Sequence, residues 1–440
     1  MKRRSSFAFV VVMSLALLAL PVMTGCAPKE AAPSPAAPAA TEVVKPESVG
    51  IAAFVDMTGP LRAMSYPGHV GYITYWRWLN ETEGGIDGVP INYIEIDTVY
   101  DIKKMRSGYE RYKDEIVTCE AQGQSPFYDS LMPRLVEDKI PAYCSIGGSD
   151  AFLYPSTSWL YGAINTADLF GTYAQWALEN WTEDRKPRVA MLLGDYPGGR
   201  FPLFCPPYLE SLGMEVVATE LVPVRGLTST MDQLLRITKA KPDFVFTTIV
   251  TNQLVIVLDE LHGMGIELGP REQGKDFELF TSYGFDQDMR AAMRPENWDG
   301  LIASDNSWDF QKYGDPDYPF YTLMVDKYME YYDVPQERLA PSIAGFYGGM
   351  IMAEAIRLAA EEVGWENLTG EAVGLYGYPN VKNFDTGLCP PVTFSKDDGR
   401  LQAGYLFRTY EDGSTEDLWV YTKMPWVFKW LDEQGFPITD

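Results

Sequence analysis

Only two histidines, His69 and His262, stand in a chain of 440 residues that carries 61 acidic side chains against 36 basic ones. So few imidazoles argue against a zinc centre and against Ser-His hydrolysis. No Gly-x-Ser-x-Gly elbow, His-Glu-x-x-His pair, phosphate loop or dinucleotide fingerprint occurs. An acid–base pair of carboxylates is not excluded by counting, but runs such as Glu361-Glu362 and Asp397-Asp398 read as solvated faces. The cysteine with the clearest chemical setting is Cys26. Lys2, Arg3 and Arg4 lead an apolar stretch from Phe7 to Met23, and the small residues Thr24 and Gly25 follow. That order describes an export signal. As a helix the apolar stretch spans about 25 Å, short of the roughly 30 Å hydrocarbon core of a bilayer.

Met23-Thr24-Gly25-Cys26 resembles a bacterial lipobox, with Met where Leu is more usual. The resemblance implies cleavage before Cys26 and a diacylglyceryl group on its sulfur; the plainer reading is an ordinary secretory signal. Residues 1–26 are thus read as the signal and 27–47, rich in Ala and Pro, as a linker. The net charge of −25 becomes −28 without Lys2, Arg3 and Arg4. A surface so acidic excludes nucleic-acid binding through a broad basic face, and disfavours electrostatic adhesion to lipid. A covalent anchor at Cys26 is the sensible membrane tether. Cys119, Cys144, Cys205 and Cys389 remain in the body, where an exported protein is free to oxidise them. The remaining length is too great for one core and suits two lobes.

The elements repeat one pattern: apolar run, turn, amphipathic segment. Strands are expected at 49–54, 89–97, 116–119, 140–144, 188–193, 215–220, 244–250 and 278–283, with helices between them, and long helices at 320–332 and 343–363. Such alternation predicts parallel strands joined by right-handed crossovers, an open α/β sheet with helices on both faces. No second apolar span suited to a membrane is expected after residue 26. The aromatic segment 417–430 is read as a strand and tail packing on the second lobe, the alternative being a docking surface.

Several short pieces then occur in a telling order. They are Phe54-Val55-Asp56-Met57-Thr58-Gly59-Pro60, Gly84-Gly85-Ile86-Asp87-Gly88, Asp97 with Asp101, Lys139-Ile140-Pro141, Gly194-Asp195-Tyr196 with Gly198, Lys241-Pro242-Asp243-Phe244-Val245, and Gly387 with Pro391-Val392-Thr393-Phe394 and Asp398-Gly399-Arg400. From Ser48 to about Tyr410 the chain resembles the type 1 periplasmic solute-binding proteins of ABC importers, in the branched-chain amino-acid and amide branch. The resemblance implies two doubly wound lobes joined by a three-strand hinge, residues 48–164 plus 306–396 forming the first and 165–305 plus 397–440 the second. It implies capture of a small solute without chemistry on it, no cofactor, and a permease with its ATPase subunits as partners. A ligand-sensing receptor domain is the first alternative and an anchored hydrolase the second.

In open α/β sheets ligands sit beyond the carboxyl ends of strands, where loops meet helix N-termini. The candidate contacts on the first lobe are Tyr66, in a loop after Pro60; Gln122, Gly123, Gln124 and Ser125; and Ser145, Gly147, Gly148 and Ser149. In relatives the last two loops hold a carboxylate or amide through hydroxyls and backbone N–H groups. Tyr196, Thr251, Tyr283, Phe285 and Asp286 are expected on the second lobe, with Trp308 nearby. Amino-acid binders of the family place an acid on that lobe for the α-ammonium. Gly284 stands at that position here, with Asp286 two residues on, so an amide, carboxylate or aromatic solute ranks above an amino acid. Cys119 and Cys144 end neighbouring strands and are expected as a disulfide or, by preference, as two buried thiols.

Overall fold

The computed structural model describes residues 44–60, 62–121, 123–144, 159–223, 226–249, 251–281, 293–305, 313–332 and 343–438. Strand β1 (Val49–Val55) is buried along its whole length because all its residues are apolar or small. It therefore sits inside a sheet, with β2 (Ile91–Asp97) on one side and β3 (Thr118–Glu120) on the other, all parallel. β4 (Ala142–Tyr143) and β5 (Leu160–Tyr161) complete a five-stranded sheet of order β2-β1-β3-β4-β5. Helices α1 (Arg62–Glu83), α2 (Ile102–Tyr112) and α3 (Ser125–Asp138) make the crossovers.

The second sheet has seven strands in the order β12-β11-β10-β9-β8-β6-β7. β6 (Arg188–Asp195), β7 (Glu215–Pro223), β8 (Phe244–Thr247), β9 (Glu278–Thr281) and β10 (Ile302–Asp305) are parallel. β11 (Gly404–Thr409) and β12 (Thr415–Tyr421) close the edge in antiparallel fashion. Around them lie α4 (Thr166–Glu179), α5 (Pro206–Ser211), α6 (Met231–Lys239) and α7 (Thr251–Gly263). Helix α8 (Pro319–Tyr332) and helix α9 (Ile343–Val363) return to the first sheet, and α10 (Val427–Glu433) ends the described chain. The C-terminal aromatics pack on the second sheet's helices, with Phe428 against Phe201 and Trp430 against Tyr208. This matches the strand and tail expected there.

Helix α9 is long and apolar enough to cross a membrane, with a mean hydropathy of 1.2, yet 72% of that stretch is buried inside the protein. It is a core helix. Gly345, Gly348 and Gly349 form the seam by which it approaches α1 closely. A Cβ at Gly345 would lie 1.9 Å from the Gly68 carbonyl oxygen.

The chain passes between the sheets after β5 and again before β11. These two passages are tied together, Gly162 N donating to Gly399 O at 2.7 Å and Leu401 N to Ala163 O at 3.2 Å. Arg400 then rivets the last passage to the second sheet's layer. Its guanidinium donates to Asp168 of α4, to Asp398, and to the Pro425 carbonyl at 3.1 Å.

The cysteines settle as thiols: Cys119, Cys144, Cys205 and Cys389 are all buried and none is in a disulfide. Register explains the absence of a bridge. Cys119 pairs with Ala142, so Cys144 stands two residues further along the next strand. One strand spacing and two residue rises separate the Cα atoms by about 8 Å, beyond disulfide reach. Burial raises the Cys119 thiol pKa and pushes that of Cys389 up to about 12.

Glu278, 6% exposed at the start of β9, faces Arg408 of β11. Burial pushes its carboxyl up to about 7 against the pull of Arg408. The folded pKa thus exceeds the unfolded one, so its contribution to stability is full below about pH 4.3 and is lost as pH rises through about 7. Urea unfolding is expected to show a decline on the order of 3 kcal/mol across that window, and a smaller decline in Glu278→Gln. Equal declines in both proteins would contradict this assignment.

Candidate functional site

The carboxyl ends of the first sheet carry the loops. After β1, Asp56 accepts from Gly59 N at 2.5 Å and closes a turn. Asp97, at the end of β2, ties the two loops together by accepting from Met57 N at 3.0 Å, Thr58 Oγ1 at 2.6 Å and Val99 N at 3.2 Å. Burial works against its charge, yet those hydrogen bonds hold its pKa below the ordinary value. Thr98 follows, buried, and its hydroxyl donates to Gln124 Oε1 at 2.9 Å.

The same hydroxyl also lies 3.1 Å from the Val55 carbonyl, so its one proton is shared between that oxygen and Gln124 Oε1. Gln124 is the N-cap of α3 and is fully buried; its carbonyl accepts from Phe127 N at 2.9 Å. With Oε1 engaged, the amide nitrogen Nε2 is left as a pure donor, and it has no partner. A buried amide donor without an acceptor costs free energy unless a guest supplies one. Gly123, at φ +66°, makes the turn that brings Gln124 to the helix end. The arrangement offers donors to a carbonyl or carboxylate oxygen, reinforced by the positive end of the helix dipole.

Of the other first-lobe candidates, Ser125 opens α3. Gln122, Ser145, Gly147, Gly148 and Ser149 lie outside the described residues. Tyr66 is placed differently from the sequence reading. It belongs not to a loop but to α1, which begins at Arg62 and runs through Pro67. One proline within an early turn removes one backbone bond without ending the helix. The Tyr66 ring is half-buried beneath the Arg62 guanidinium, 4.5 Å from its centroid. Ser65 is occupied structurally, donating to Asp56 O at 3.1 Å.

On the second sheet, Tyr196 follows β6, half-buried, and its hydroxyl donates to Thr248 O at 2.8 Å. Thr248 in turn donates to Gly199 O at 2.8 Å and accepts from Gly194 N at 3.1 Å. The loops after β6 and β8 are therefore one unit. Gly194 and Gly199 are small because the Tyr196 ring lies against both. Thr251 opens α7. Tyr283, Phe285, Asp286 and Trp308 lie outside the described residues, as does Cys26.

The sequence reading missed one cluster beneath the first-sheet loops: His69, Tyr93, Glu95 and Glu120. His69 Nε2 meets Glu95 Oε1 at 2.8 Å, and Tyr93 donates to Glu120 Oε1 at 3.0 Å. Alternation along β2 put Tyr93, Glu95 and Asp97 on one face, the only early signal. Among the described residues no group of His, Cys, Asp and Glu is arranged to hold a metal ion.

Two α/β sheets, with loops gathered at the carboxyl ends of their parallel strands and a paired passage between them, define a two-lobed binding fold. The periplasmic binding protein family model matches residues 48–415, and the chain belongs to that family, whose members work outside the cytoplasm. Solved structures agree at the level of the fold. The branched-chain amino acid ABC transporter protein of Thermus thermophilus, with bound valine, superposes with a TM-score of 0.71 at 17% identity, covering 89% of this chain and 100% of that one. A fatty acid ABC transporter substrate-binding protein from Thermomonospora curvata gives 0.66 at 18% identity, covering 86% and 94%. A leucine-binding protein from Thermotoga maritima gives 0.60 at 16%, covering 85% and 99%. A comparison with curated proteins found no match.

Proposed function

We propose that this chain is the extracytoplasmic solute-binding subunit of an ABC importer, held to the membrane by lipid on Cys26. Residues 48–164 with 306–396 act as one jaw and 165–305 with 397–440 as the other. A small amide, carboxylate or aromatic solute is gripped between them unchanged and passed to a permease. The observation that carries this reading is the Gln124 amide: buried, oriented by Thr98, and without an acceptor at the N-terminus of α3. The fold neighbours named for a branched-chain amino acid, a fatty acid and leucine support a solute with a carboxyl or carbonyl end.

A thermal-shift panel of small amides, carboxylates, aromatic acids and leucine tests it. A solute at a hundred times its Kd adds about 2.7 kcal/mol to stability. Gln124→Leu is expected to weaken the solute found by about tenfold or more while leaving the free protein folded, since Nε2 has no bond to lose and the Thr98 hydroxyl freed from Oε1 still reaches the Val55 carbonyl at 3.1 Å. Leucine is expected to bind no tighter than the best amide or aromatic acid. Unchanged affinity in Gln124→Leu would remove Gln124 from the site.

A further inference from the structure

Arg62 stands exposed in the first turn of α1, and its backbone N–H donates to Gly59 O at 3.3 Å, closing the loop after β1. Its guanidinium lies over the Tyr66 ring, 4.5 Å from the centroid. Stacking of this kind engages the flat face of a guanidinium and leaves the N–H fork at its edge open. Among the described residues no acid forms an ion pair with Arg62, although the chain has 61 acidic side chains against 36 basic ones. The position is also electrostatically adverse. A helix N-terminus carries partial positive charge and favours an anion. α1 has no acid in its first turn and a guanidinium instead.

α3, which starts at the same edge of the first sheet, repeats the pattern. It has no acid in its first turn and no side-chain cap, and the buried Gln124 Nε2 at its N-terminus has no acceptor. Contacts link the two helix ends. Arg62, Tyr66 and His69 fall on one face of α1 by helical spacing. The Tyr66 ring is 6.1 Å from that of His69, and His69 Nδ1 is 3.5 Å from Glu120 Oε1 at the end of β3. The acids of this edge already have donors. Asp97 accepts from Met57 N, Thr58 Oγ1 and Val99 N, and Asp56 accepts from Gly59 N. Asp101 caps α2 by accepting from Lys103 N and Lys104 N.

We infer that Arg62 is the specificity-determining residue of the first jaw, taking the carboxylate of the solute so that an organic acid is bound in preference to its amide. The inference rests on the reading of this edge as a solute contact and narrows the solute to an anion. Gln124 does not make that choice, because a neutral amide N–H donates to a carboxylate or to an amide carbonyl alike. A guanidinium does make it. Its hydrogen bonds to a carboxylate are charge-assisted, about twice as strong as neutral ones, and its fork matches two oxygens. The bound anion also supplies the negative charge that the N-termini of α1 and α3 lack. Tyr66 serves as the platform that holds the fork in place.

Matched acid–amide pairs test this: benzoate and benzamide, phenylacetate and phenylacetamide, 3-methylbutanoate and 3-methylbutanamide. Each is titrated calorimetrically into the full chain at pH 7. The best acid should bind about tenfold or more tighter than its own amide, and added salt should narrow the gap. Arg62→Gln should weaken that acid about tenfold or more and the amide less than about twofold. Arg62→Lys, which keeps the charge but not the fork, should recover part of the preference. The free Arg62→Gln protein should melt no lower than its parent, because a cation has left a helix N-terminus. Equal binding of acid and amide, failure of every acid to bind, or an acid–amide ratio unchanged in Arg62→Gln overturns the inference. The solute-binding reading survives each of these results if the wider panel yields a bound solute; it fails through that panel and Gln124→Leu instead.

Discussion

Replacing Arg400 by methionine is expected to lower the unfolding free energy by about 3–5 kcal/mol. Arg400 is 4% exposed at its side chain and Asp168 1%. The guanidinium satisfies Asp168 and both oxygens of Asp398, and its face lies 4.4 Å from the Trp426 ring centroid. Without it, among the described residues outside its own helix, the Asp168 carboxylate keeps only the Val427 N–H, at 2.7 Å. Burial already pushes the Asp168 pKa up to about 6 despite Arg400. The folded pKa therefore exceeds the unfolded value of 3.8, and the cost of the buried charge is absent below about pH 4 and complete above about pH 6. Removing the cation raises that pKa further. The loss in Arg400→Met should accordingly be larger at pH 8 than at pH 5, and Arg400→Met combined with Asp168→Asn should recover most of it. Urea denaturation of the unmodified protein, Arg400→Met, Asp168→Asn and the double variant at both pH values is the measurement. A loss below about 1 kcal/mol, the scale of a surface pair, would show that the passage between the sheets is not held this way.

Gly345→Ala should also destabilise, although alanine is the better helix former. Its Cβ would meet the Gly68 carbonyl oxygen at 1.9 Å and Tyr72 N at 2.7 Å. Both are backbone atoms of α1, so relief requires the helices to part and the Tyr72 and Tyr75 contacts to loosen. Overpacking of this kind costs about 1–3 kcal/mol and sometimes more, against a propensity gain of about 0.8–1 kcal/mol. A net loss of up to about 2 kcal/mol is expected. Gly263, at the end of α7, has open space around the same position. Gly263→Ala should stabilise by a few tenths of a kcal/mol up to about 1. Melting curves of the pair should move in opposite directions. A shared direction would mean that helix propensity, not the α1–α9 seam, governs Gly345.

How far the sequence could be read follows from the range of the forces involved. β1 was legible because a run from Val49 to Val55 can only be buried, and α9 because its seam glycines sit within a continuous apolar helix. Family membership was legible because turns with special backbone needs recur in a fixed order. The short strands β4 and β5 each hold two residues, too few for a period of two to declare itself. Tyr66 was assigned to a loop because it follows the turn at Pro60, whereas α1 starts at Arg62 and tolerates Pro67. Gln124 was identified by position, but its value as an oriented donor depends on Thr98, on a different strand end. The His69 cluster was invisible because Tyr93, Glu95 and Glu120 come from two strands, and only their pairing with β1 brings them under one helix.

Calorimetric titration of the full chain with the solute selected by the panel should show saturable binding of one molecule per chain, weakened about tenfold or more in Gln124→Leu. The solute should be recovered chemically unchanged. Conversion of the solute to a product, or binding that Gln124→Leu leaves untouched, would contradict the proposed function.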